Sequence, residues 1–305
     1  MEPKTYPEGV PSWVDTEQRD LEAAKRFYGG LFGWTFAEAT PPGAPLRYVV
    51  AQLGGQDVAG LSGPADPGAP ADPGAPADPD APRDPEAPPE PEARNQSPAW
   101  NTYVAVGHAD AAVARIEASG GRVLQPPSDA GEGGRWASCA DPAGVEFRVW
   151  QARRRLGAQV VNVPGSWNFS DLHTASPGEA ASFYAAVFGW AFDDLGFAVM
   201  IRRPGYGDHL EVTTDPEIRD RQAEFQAPPG FEDAIGWLAP VGAGEAPHWH
   251  VSFTVADRDE AAAAVERLGG TVLAREDNAW TRTTLVQDPQ GARFTVSQFD
   301  PQPAR

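Results

Sequence analysis

Apolar and polar residues alternate along several short segments of the chain, which predicts β-strands with one buried face. Residues 102–106 are Thr-Tyr-Val-Ala-Val, and residues 251–255 are Val-Ser-Phe-Thr-Val. A period of two sends successive side chains to opposite faces of a sheet. An Asp-Pro-x-Gly segment at 141–144, and again at 288–291, precedes a further apolar segment. Such a segment is typical of a tight turn before a strand.

Apolar residues spaced three or four apart predict helices between these strands. One such stripe is formed by Leu21, Ala24, Tyr28 and Leu31. Asp20 stands where the N-cap of that helix is expected. Residues 176–179, Ser-Pro-Gly-Glu, have the pattern of a capping box with proline in the first turn. Helices therefore begin near Asp20 and Ser176.

Two internal repeats show that these elements recur in a fixed order. Residues 27–36 reappear as residues 183–192 with six of ten positions identical. Residues 141–149 resemble residues 288–296, and each segment follows a helix that ends in Gly-Gly. The repeats predict four βαβββ units in an α+β fold. Because one such unit cannot bury its own sheet face, we expect the first to pair with the second and the third with the fourth, each pair curving around a cup.

These motifs resemble those of the vicinal oxygen chelate superfamily, which includes glyoxalases, bleomycin resistance proteins and dioxygenases. The resemblance rests on residues 20–34, the Gly-Gly-x-Val-Leu helix exits and the Asp-Pro-x-Gly-x-x-Phe endings. It is closest to tandem four-module members often labelled hydroxylases or glyoxalase-like antigens. It implies two glyoxalase-like domains, at 1–152 and 153–305, with an insertion at 202–231. Since this scaffold carries many chemistries, the resemblance is more specific for the fold than for the reaction.

Composition narrows the partners and the compartment. The formal net charge of −19 disfavours nucleic acid and anionic membrane surfaces as partners. No apolar run of membrane-spanning length and no export-signal pattern occurs, so we expect a cytoplasmic protein. The single cysteine, Cys139, excludes an intramolecular disulfide and a cysteine-cluster metal site. A small-molecule ligand remains, with a monomer or a homodimer both compatible with two pairs of units in one chain.

Residues 64–93 differ in composition from the rest of the chain. They contain eleven prolines, eight acidic residues and one basic residue, in near-hexad repeats. No side chain larger than alanine is available to form an apolar core, so this segment cannot offset its ordering entropy. The composition predicts a disordered or polyproline-like linker.

The resemblance also implies where a divalent metal would be held. In each pair of units, one ligand would lie on the first strand of the first unit, and two would lie on the first and last strands of the second unit. The corresponding residues are Trp13, Asn101 and Arg148 in the first half, and Phe169, His250 and Thr295 in the second. Of these, His250 alone is a good metal ligand. We therefore predict no cofactor, with a divalent metal left open in the second domain. There, Asp171, His173, His209, Glu211 and His248 are ligand types at other positions.

In place of metal ligands, the resemblance gives the first cup an aromatic and polar lining. The predicted lining consists of Trp13, Asp15, Asn101, Tyr103 and Arg148. Such groups suit a planar or hydroxylated organic ligand, by stacking and by orienting hydrogen bonds. The alternative is structural: the aromatic residues belong to the core, and Arg148 forms an ion pair with Asp15.

The second cup has more ionisable groups. By strand alternation His248 and His250 share a face, and Asp171 is expected across the cup. We predict His250 as a general base or acid and Asp171 as the carboxylate that orients it, with Phe169 and Thr295 contacting the ligand. A buried, satisfied histidine is the alternative. In the insertion, Tyr206 and His209 would reach the ligand if the loop closes over this cup; otherwise the insertion packs the two halves together.

Taken together, the sequence favours an enzyme of lyase, isomerase or hydroxylase type. We expect it to act without a metal on an aromatic or polycyclic metabolite by acid/base chemistry, in specialised metabolism. Nucleotide-binding and serine-hydrolase motifs are absent from the sequence. Two alternatives remain: a binding protein that sequesters a ligand without changing it, and a metal-dependent oxygenase or lyase with displaced ligands.

Overall fold

The computed structural model describes residues 4–65, 98–242 and 244–301. The predicted linker lies outside these residues, apart from its first two positions. The first half contains β1 (Pro11–Glu17), α1 (Leu21–Phe32), β2 (Thr35–Glu38), β3 (Leu46–Leu53), β4 (Gln56–Pro64), β5 (Trp100–Ala105), α2 (Ala109–Ala118), β6 (Arg122–Asp129), β7 (Gly134–Ala140) and β8 (Glu146–Ala152).

The second half repeats this order with two extra α-helices and one 3-10 helix. It contains β9 (Trp167–Thr174), α3 (Pro177–Phe188), β10 (Ala191–Asp194), β11 (Val199–Arg202), α4 (Tyr206–Thr213), α5 (Ile218–Glu224), a short 3-10 helix (Phe231–Asp233), β12 (Ala234–Pro240), β13 (His248–Thr254), α6 (Arg258–Arg267), β14 (Thr271–Asp277), β15 (Thr281–Gln287) and β16 (Arg293–Phe299).

The strands form two eight-stranded mixed sheets, which confirms the predicted α+β fold. The first sheet has the order β2-β3-β4-β1-β5-β8-β7-β6, and the second has the order β10-β11-β12-β9-β13-β16-β15-β14. Each sheet therefore joins two βαβββ units through one antiparallel strand pair, β1 with β5 and β9 with β13. The units pair as expected, first with second and third with fourth.

The hydrophobic cores cross the boundary between the two sheets. Tyr28 and Phe32 of α1 pack against Phe253 and Phe294 of the second sheet, within one continuous buried cluster. In the other cluster, residues of α3, Phe183 and Tyr184 among them, pack against Phe147 of the first sheet. Each sheet thus turns one face to a helix of the other half and leaves its opposite face to form a cup.

Hydrogen bonds reinforce the packing of each half of the chain against the other. The Tyr28 hydroxyl and the Gln18 amide both donate to Asp288, at 2.8 Å and 2.9 Å, and all three groups are buried. The Tyr184 hydroxyl lies 3.4 Å from the Asp141 carboxylate on the other side. Both carboxylates belong to the repeated Asp-Pro-x-Gly turns. These turns therefore tie the halves together in addition to reversing the chain.

Helix capping agrees with the sequence at one helix and differs at another. The Asp20 side chain accepts a hydrogen bond from the Ala23 amide, as predicted. Ser176 makes no side-chain capping bond, so the predicted capping box is wrong. The Ser176 amide, which a capping box would bond through its glutamate, donates to the Thr174 hydroxyl at 3.1 Å instead.

Among the described residues, no helix combines the length and the apolar character that crossing a bilayer requires.

Candidate functional site

Strand register shows which positions of the two cups correspond. Asp15 on β1 lies opposite Asn101 on β5 in the first sheet, and Asp171 on β9 lies opposite His250 on β13 in the second. Next to them, Tyr103 pairs with Arg148 in the first sheet and Ser252 with Thr295 in the second. The cups therefore carry a carboxylate at the same position, surrounded by different side chains.

In the first cup, Asp15 is the centre of a hydrogen-bond network. One carboxylate oxygen accepts from the Asn101 amide at 2.9 Å and from the Arg148 guanidinium at 3.0 Å. The other accepts from the hydroxyls of Tyr48 at 3.1 Å and Tyr103 at 2.5 Å. Asp15 is 1% exposed, so these contacts replace water around a buried carboxylate.

Arg148 completes this network and neutralises its charge. Its guanidinium lies over the rings of Tyr103 and Trp136, at 5.3 Å and 5.2 Å from their centres, and also donates to the Tyr103 hydroxyl at 2.6 Å. Burial raises the pKa of Tyr103 well above its usual value. All five residues predicted to line this cup are thus brought together, since Trp13 donates to Tyr48 at 2.8 Å.

In the second cup, the equivalent carboxylate has far fewer partners. The hydrogen bond formed by Asp171 is to the backbone amide of Trp237, at 2.9 Å. Arg148, Asn101 and Tyr103 have been replaced here by Thr295, His250 and Ser252. Burial without a cation raises the pKa of Asp171 to about 7, and the Trp237 amide offsets this only in part.

Three imidazoles lie beside Asp171. The ring centre of His173 is 4.7 Å from that of His248 and 5.4 Å from that of His250. The Nε2 atom of His250 lies 2.8 Å from the Thr295 hydroxyl. Burial and the neighbouring imidazoles lower the pKa of His250 to about 3 and that of His173 to about 4. Both rings are therefore neutral at neutral pH.

The structure forms no hydrogen bond between Asp171 and His250, although their strands pair at these residues. Strand alternation places Phe169 on the same face of β9 as Asp171, two residues away, and it is partly exposed. Four residues predicted to line the second cup therefore lie on one face of the sheet: Phe169, Asp171, His250 and Thr295.

The insertion places its two predicted ligand-binding residues elsewhere. His209 lies 3.2 Å from the Thr5 hydroxyl and 3.1 Å from the Thr5 carbonyl oxygen, in the first half of the chain. Tyr206 packs against the second hydrophobic cluster and its ring lies alongside His209. These contacts of Tyr206 and His209 do not involve the lining of the second cup. They connect the insertion to the rest of the fold, and His209 connects it to the N-terminal segment.

A different part of the insertion does approach the second cup. Phe231 of the 3-10 helix contacts the ring of Trp237, with ring centres 6.1 Å apart. Phe225, at the end of α5, contacts Phe299 at the end of β16. Trp237 and Tyr48 were not predicted as site residues. Their strands, β12 and β3, carry no motif, and only the register of the sheet shows that they face the cups.

Two cavities lie outside both cups. One, of about 170 Å³, is lined in part by Tyr6, Val106 and Trp150. The other, of about 320 Å³, is lined in part by Phe32 and Ala261. None of the predicted site residues lines either cavity, so the choice of the second cup rests on its chemistry and not on volume.

Sequence comparisons agree with this architecture. The family model described as the glyoxalase/bleomycin resistance protein/dioxygenase superfamily matches residues 17–149, and a model described as a glyoxalase-like domain matches residues 167–297. A protein named glyoxylase CFP32, of Mycobacterium tuberculosis (strain CDC 1551 / Oshkosh), is 34% identical over 299 residues, with 97% of each chain covered. The chain belongs to the glyoxalase/bleomycin resistance protein/dioxygenase superfamily.

Other proteins resemble the chain over most of its length. The anthracycline biosynthesis protein DnrV of Streptomyces peucetius is 32% identical over 295 residues, covering 95% of this chain and 94% of the relative. The Mn(II)-bound glyoxalase from Novosphingobium aromaticivorans superposes with a TM-score of 0.56 at 15% identity, covering 95% and 82% of the two chains. The 2,3-dioxygenase LapB from Pseudomonas sp. KL28 also gives 0.56, at 13% identity over 98% and 96%. These two structures show the fold alone.

The donor set of this member does not fit the metal that the superfamily implies. In the first cup, the Arg148 guanidinium lies among the three implied positions, where its charge would repel a divalent cation. In the second cup, Phe169 has no donor atom and the Thr295 hydroxyl is bonded to His250. Within residues 4–65, 98–242 and 244–301, no three His, Cys, Asp or Glu side chains are arranged to hold a metal ion. His209 and Glu211 lie in α4, and His209 contacts Thr5.

Proposed function

We propose that the second cup binds a small aromatic or polycyclic ligand and promotes proton transfer without a metal, with Asp171 as the group that exchanges the proton. One observation carries this proposal. Asp171 is a partly buried carboxylate whose one hydrogen bond within the described residues comes from a backbone amide, at the position where Asp15 of the first cup has four side-chain donors. A carboxyl with a pKa of about 7 gives and accepts protons readily at neutral pH.

The pKa shifts of Asp171 and His250 give these two residues roles different from those predicted from the sequence. His250, with a pKa of about 3, is a neutral imidazole and holds no exchangeable charge at neutral pH. Its contact with Thr295 fixes the ring, so that the imidazole orients a ligand oxygen by hydrogen bonding. Asp171 is then the acid or base, and His250 is the positioning residue.

The surroundings of Asp171 support an aromatic ligand. Phe169 and Trp237 lie on the cup face of β9 and β12, and Phe231 packs on Trp237 from the insertion. Aromatic faces bind flat rings by offset or edge contacts. Two relatives, DnrV and DauV, are named as anthracycline biosynthesis proteins, which supports a role in specialised metabolism for this chain as well.

Proton transfer is tested with 2-tetralone, a bicyclic aromatic ketone with acidic C–H bonds. We expect the wild-type protein to accelerate exchange of these protons in D2O, observed by proton NMR. The exchange rate rises with pH up to about 7, because the ionised form of Asp171 is the base. The Asp171→Asn variant should lose at least a hundredfold of the acceleration.

The controls separate the alternatives. His250→Gln keeps a hydrogen-bonding side chain, so a smaller loss is expected, mainly as weaker binding. Elemental analysis of protein purified without chelators should find less than about 0.1 equivalent of Fe, Zn or Mn. A stoichiometric metal would overturn the metal-independent mechanism. Binding of 2-tetralone with no acceleration of exchange would instead identify a ligand-sequestering protein.

A further inference from the structure

In the first cup, the tyrosine side chains of the protein itself lie in the region where we propose that the second cup binds its ligand. The hydroxyl groups of Tyr48 and Tyr103 both lie on one oxygen of Asp15, at 3.1 Å and 2.5 Å. The Tyr48 ring passes directly over Gly60, where even a Cβ atom would lie only 2.0 Å from the hydroxyl oxygen. The first cup is therefore built to bring phenolic hydroxyls onto a buried carboxylate.

The second cup keeps the carboxylate and loses the phenols. Ser252 occupies the position of Tyr103, as the register with Thr295 and Arg148 shows. The strand corresponding to β3 is β11, Val199–Arg202, and it contains no tyrosine. Asp171 therefore lacks both hydroxyl donors, and Trp237 stands where the first cup has Gly60.

From this comparison we infer that the ligand of the second cup presents a phenolic hydroxyl to Asp171, in the way that Tyr103 presents its hydroxyl to Asp15. This inference rests on the proposed function and narrows its substrate class to hydroxylated aromatic compounds. A partly buried carboxylate with unused lone pairs gains most from a strong, neutral O–H donor.

The charge of the cup selects against acidic ligands. In the first cup Arg148 balances Asp15, with the two charged groups 3.0 Å apart. In the second cup Thr295 stands in place of the arginine, and the lowered pKa values of His173 and His250 leave both imidazoles uncharged, so the cation that balances Asp15 has no counterpart at its position beside Asp171. A carboxylic acid or phosphate would be repelled by ionised Asp171, whereas a neutral phenol is not.

Three matched probes test the inference with the full chain. They are 2-naphthol, its methyl ether 2-methoxynaphthalene, and 2-naphthoic acid, each titrated at pH 8 by isothermal calorimetry. We expect 2-naphthol to bind at least tenfold more tightly than the ether, which keeps the rings but has no donor, and the acid to bind most weakly. In Asp171→Leu, the difference between 2-naphthol and the ether should fall below threefold.

A second variant places a phenol in the cup itself. Ser252→Tyr puts a hydroxyl where Tyr103 has one, so it should abolish binding of 2-naphthol and leave the thermal midpoint unchanged or higher. Thr271→Tyr adds the same side chain on the exposed edge strand β14 and should bind 2-naphthol like the wild type.

The outcomes separate this inference from the proposed function. If 2-naphthol and its ether bind the wild-type protein equally, and Ser252→Tyr blocks both, the cup binds aromatic rings but the hydroxyl inference is wrong. If none of the three probes binds, or if Ser252→Tyr leaves their binding intact, the second cup is not the aromatic site and both proposals fail.

Discussion

Two aspartates at equivalent positions behave differently because of their neighbours. Asp15 accepts four side-chain hydrogen bonds, one of them from a guanidinium, whereas Asp171 accepts one hydrogen bond, from a backbone amide, within the described residues. The first is a satisfied structural carboxylate, and the second carries a cost of burial that raises its pKa to about 7. The same residue type therefore has its hydrogen-bonding capacity filled in one cup and largely unfilled in the other.

This contrast predicts opposite effects of the same substitution on stability. The pKa of Asp171 is about 7 in the folded chain, against about 4 for an unfolded aspartate. The resulting destabilisation is absent below pH 4, grows between pH 4 and 7, and is complete above pH 7. Asp171→Asn should therefore be more stable than the wild type by about 1–3 kcal/mol at pH 8, and this gain should shrink toward pH 4, in urea denaturation at both pH values.

The matched control is Asp15→Asn. It leaves the Arg148 guanidinium, 16% exposed, without its charge partner, and should cost about 3–5 kcal/mol at pH 8. Equal effects of the two substitutions would contradict the assignment of structural and reactive roles to the two cups.

At the scale of elements, the repeated Gly-Gly pairs have a packing reason. Gly121 follows α2, and a Cβ atom there would lie 2.7 Å from Ile116, 2.8 Å from the Ala140 carbonyl oxygen and 2.9 Å from Phe183. Gly270, at the equivalent place after α6, meets the Gln287 carbonyl oxygen and Phe27 in the same way. In both cases an aromatic side chain from a helix of the other half packs onto the glycine.

The substitutions Gly121→Ala and Gly270→Ala should each destabilise the protein by about 1–3 kcal/mol, because the added methyl meets a backbone carbonyl that cannot move easily. Gly178→Ala in α3 is the control: nothing lies within 4 Å of its Cβ position, and alanine favours helices. Thermal denaturation measures all three. A neutral Gly121→Ala would show that the helix ends are packed less closely.

On the scale of the whole molecule, the two sheets do not correspond to two independent cores. Helix α1 contributes Tyr28 and Phe32 to the cluster that contains Phe253 and Phe294, and α3 makes the reciprocal contribution. Each half alone would expose the aromatic face that the other half covers. The strands of each sheet come from one half of the chain, whereas each core combines residues of both halves.

We therefore expect residues 1–152 and 153–305, expressed separately, to lack a cooperative urea transition. Expressed together, they should associate and recover one transition with near-native circular dichroism. The intact chain should unfold in a single step. A separate half with a steep transition and native-like spectrum would show that it folds without the exchanged helix.

Several features of this protein followed from the sequence alone. The repeats at 27–36 and 183–192 gave the number and order of the units, because helix and strand periodicities are local. Parity along β9 and β13 put Asp171 and His250 on one face. The sequence predicted only part of the lining of the cups, because Trp237 and Tyr48 face the cups from strands that carry no motif.

Tertiary structure decided the rest, for a physical reason. The pKa of a carboxyl depends on burial and on donors from distant segments, so sequence could not separate Asp15, with Tyr48 and Arg148 beside it, from Asp171. Likewise the contact of His209 with Thr5, 204 residues away, depends on how the insertion docks. The amino-acid sequence determines which groups each strand carries, whereas the register between strands and the packing between halves determine which of these groups come into contact.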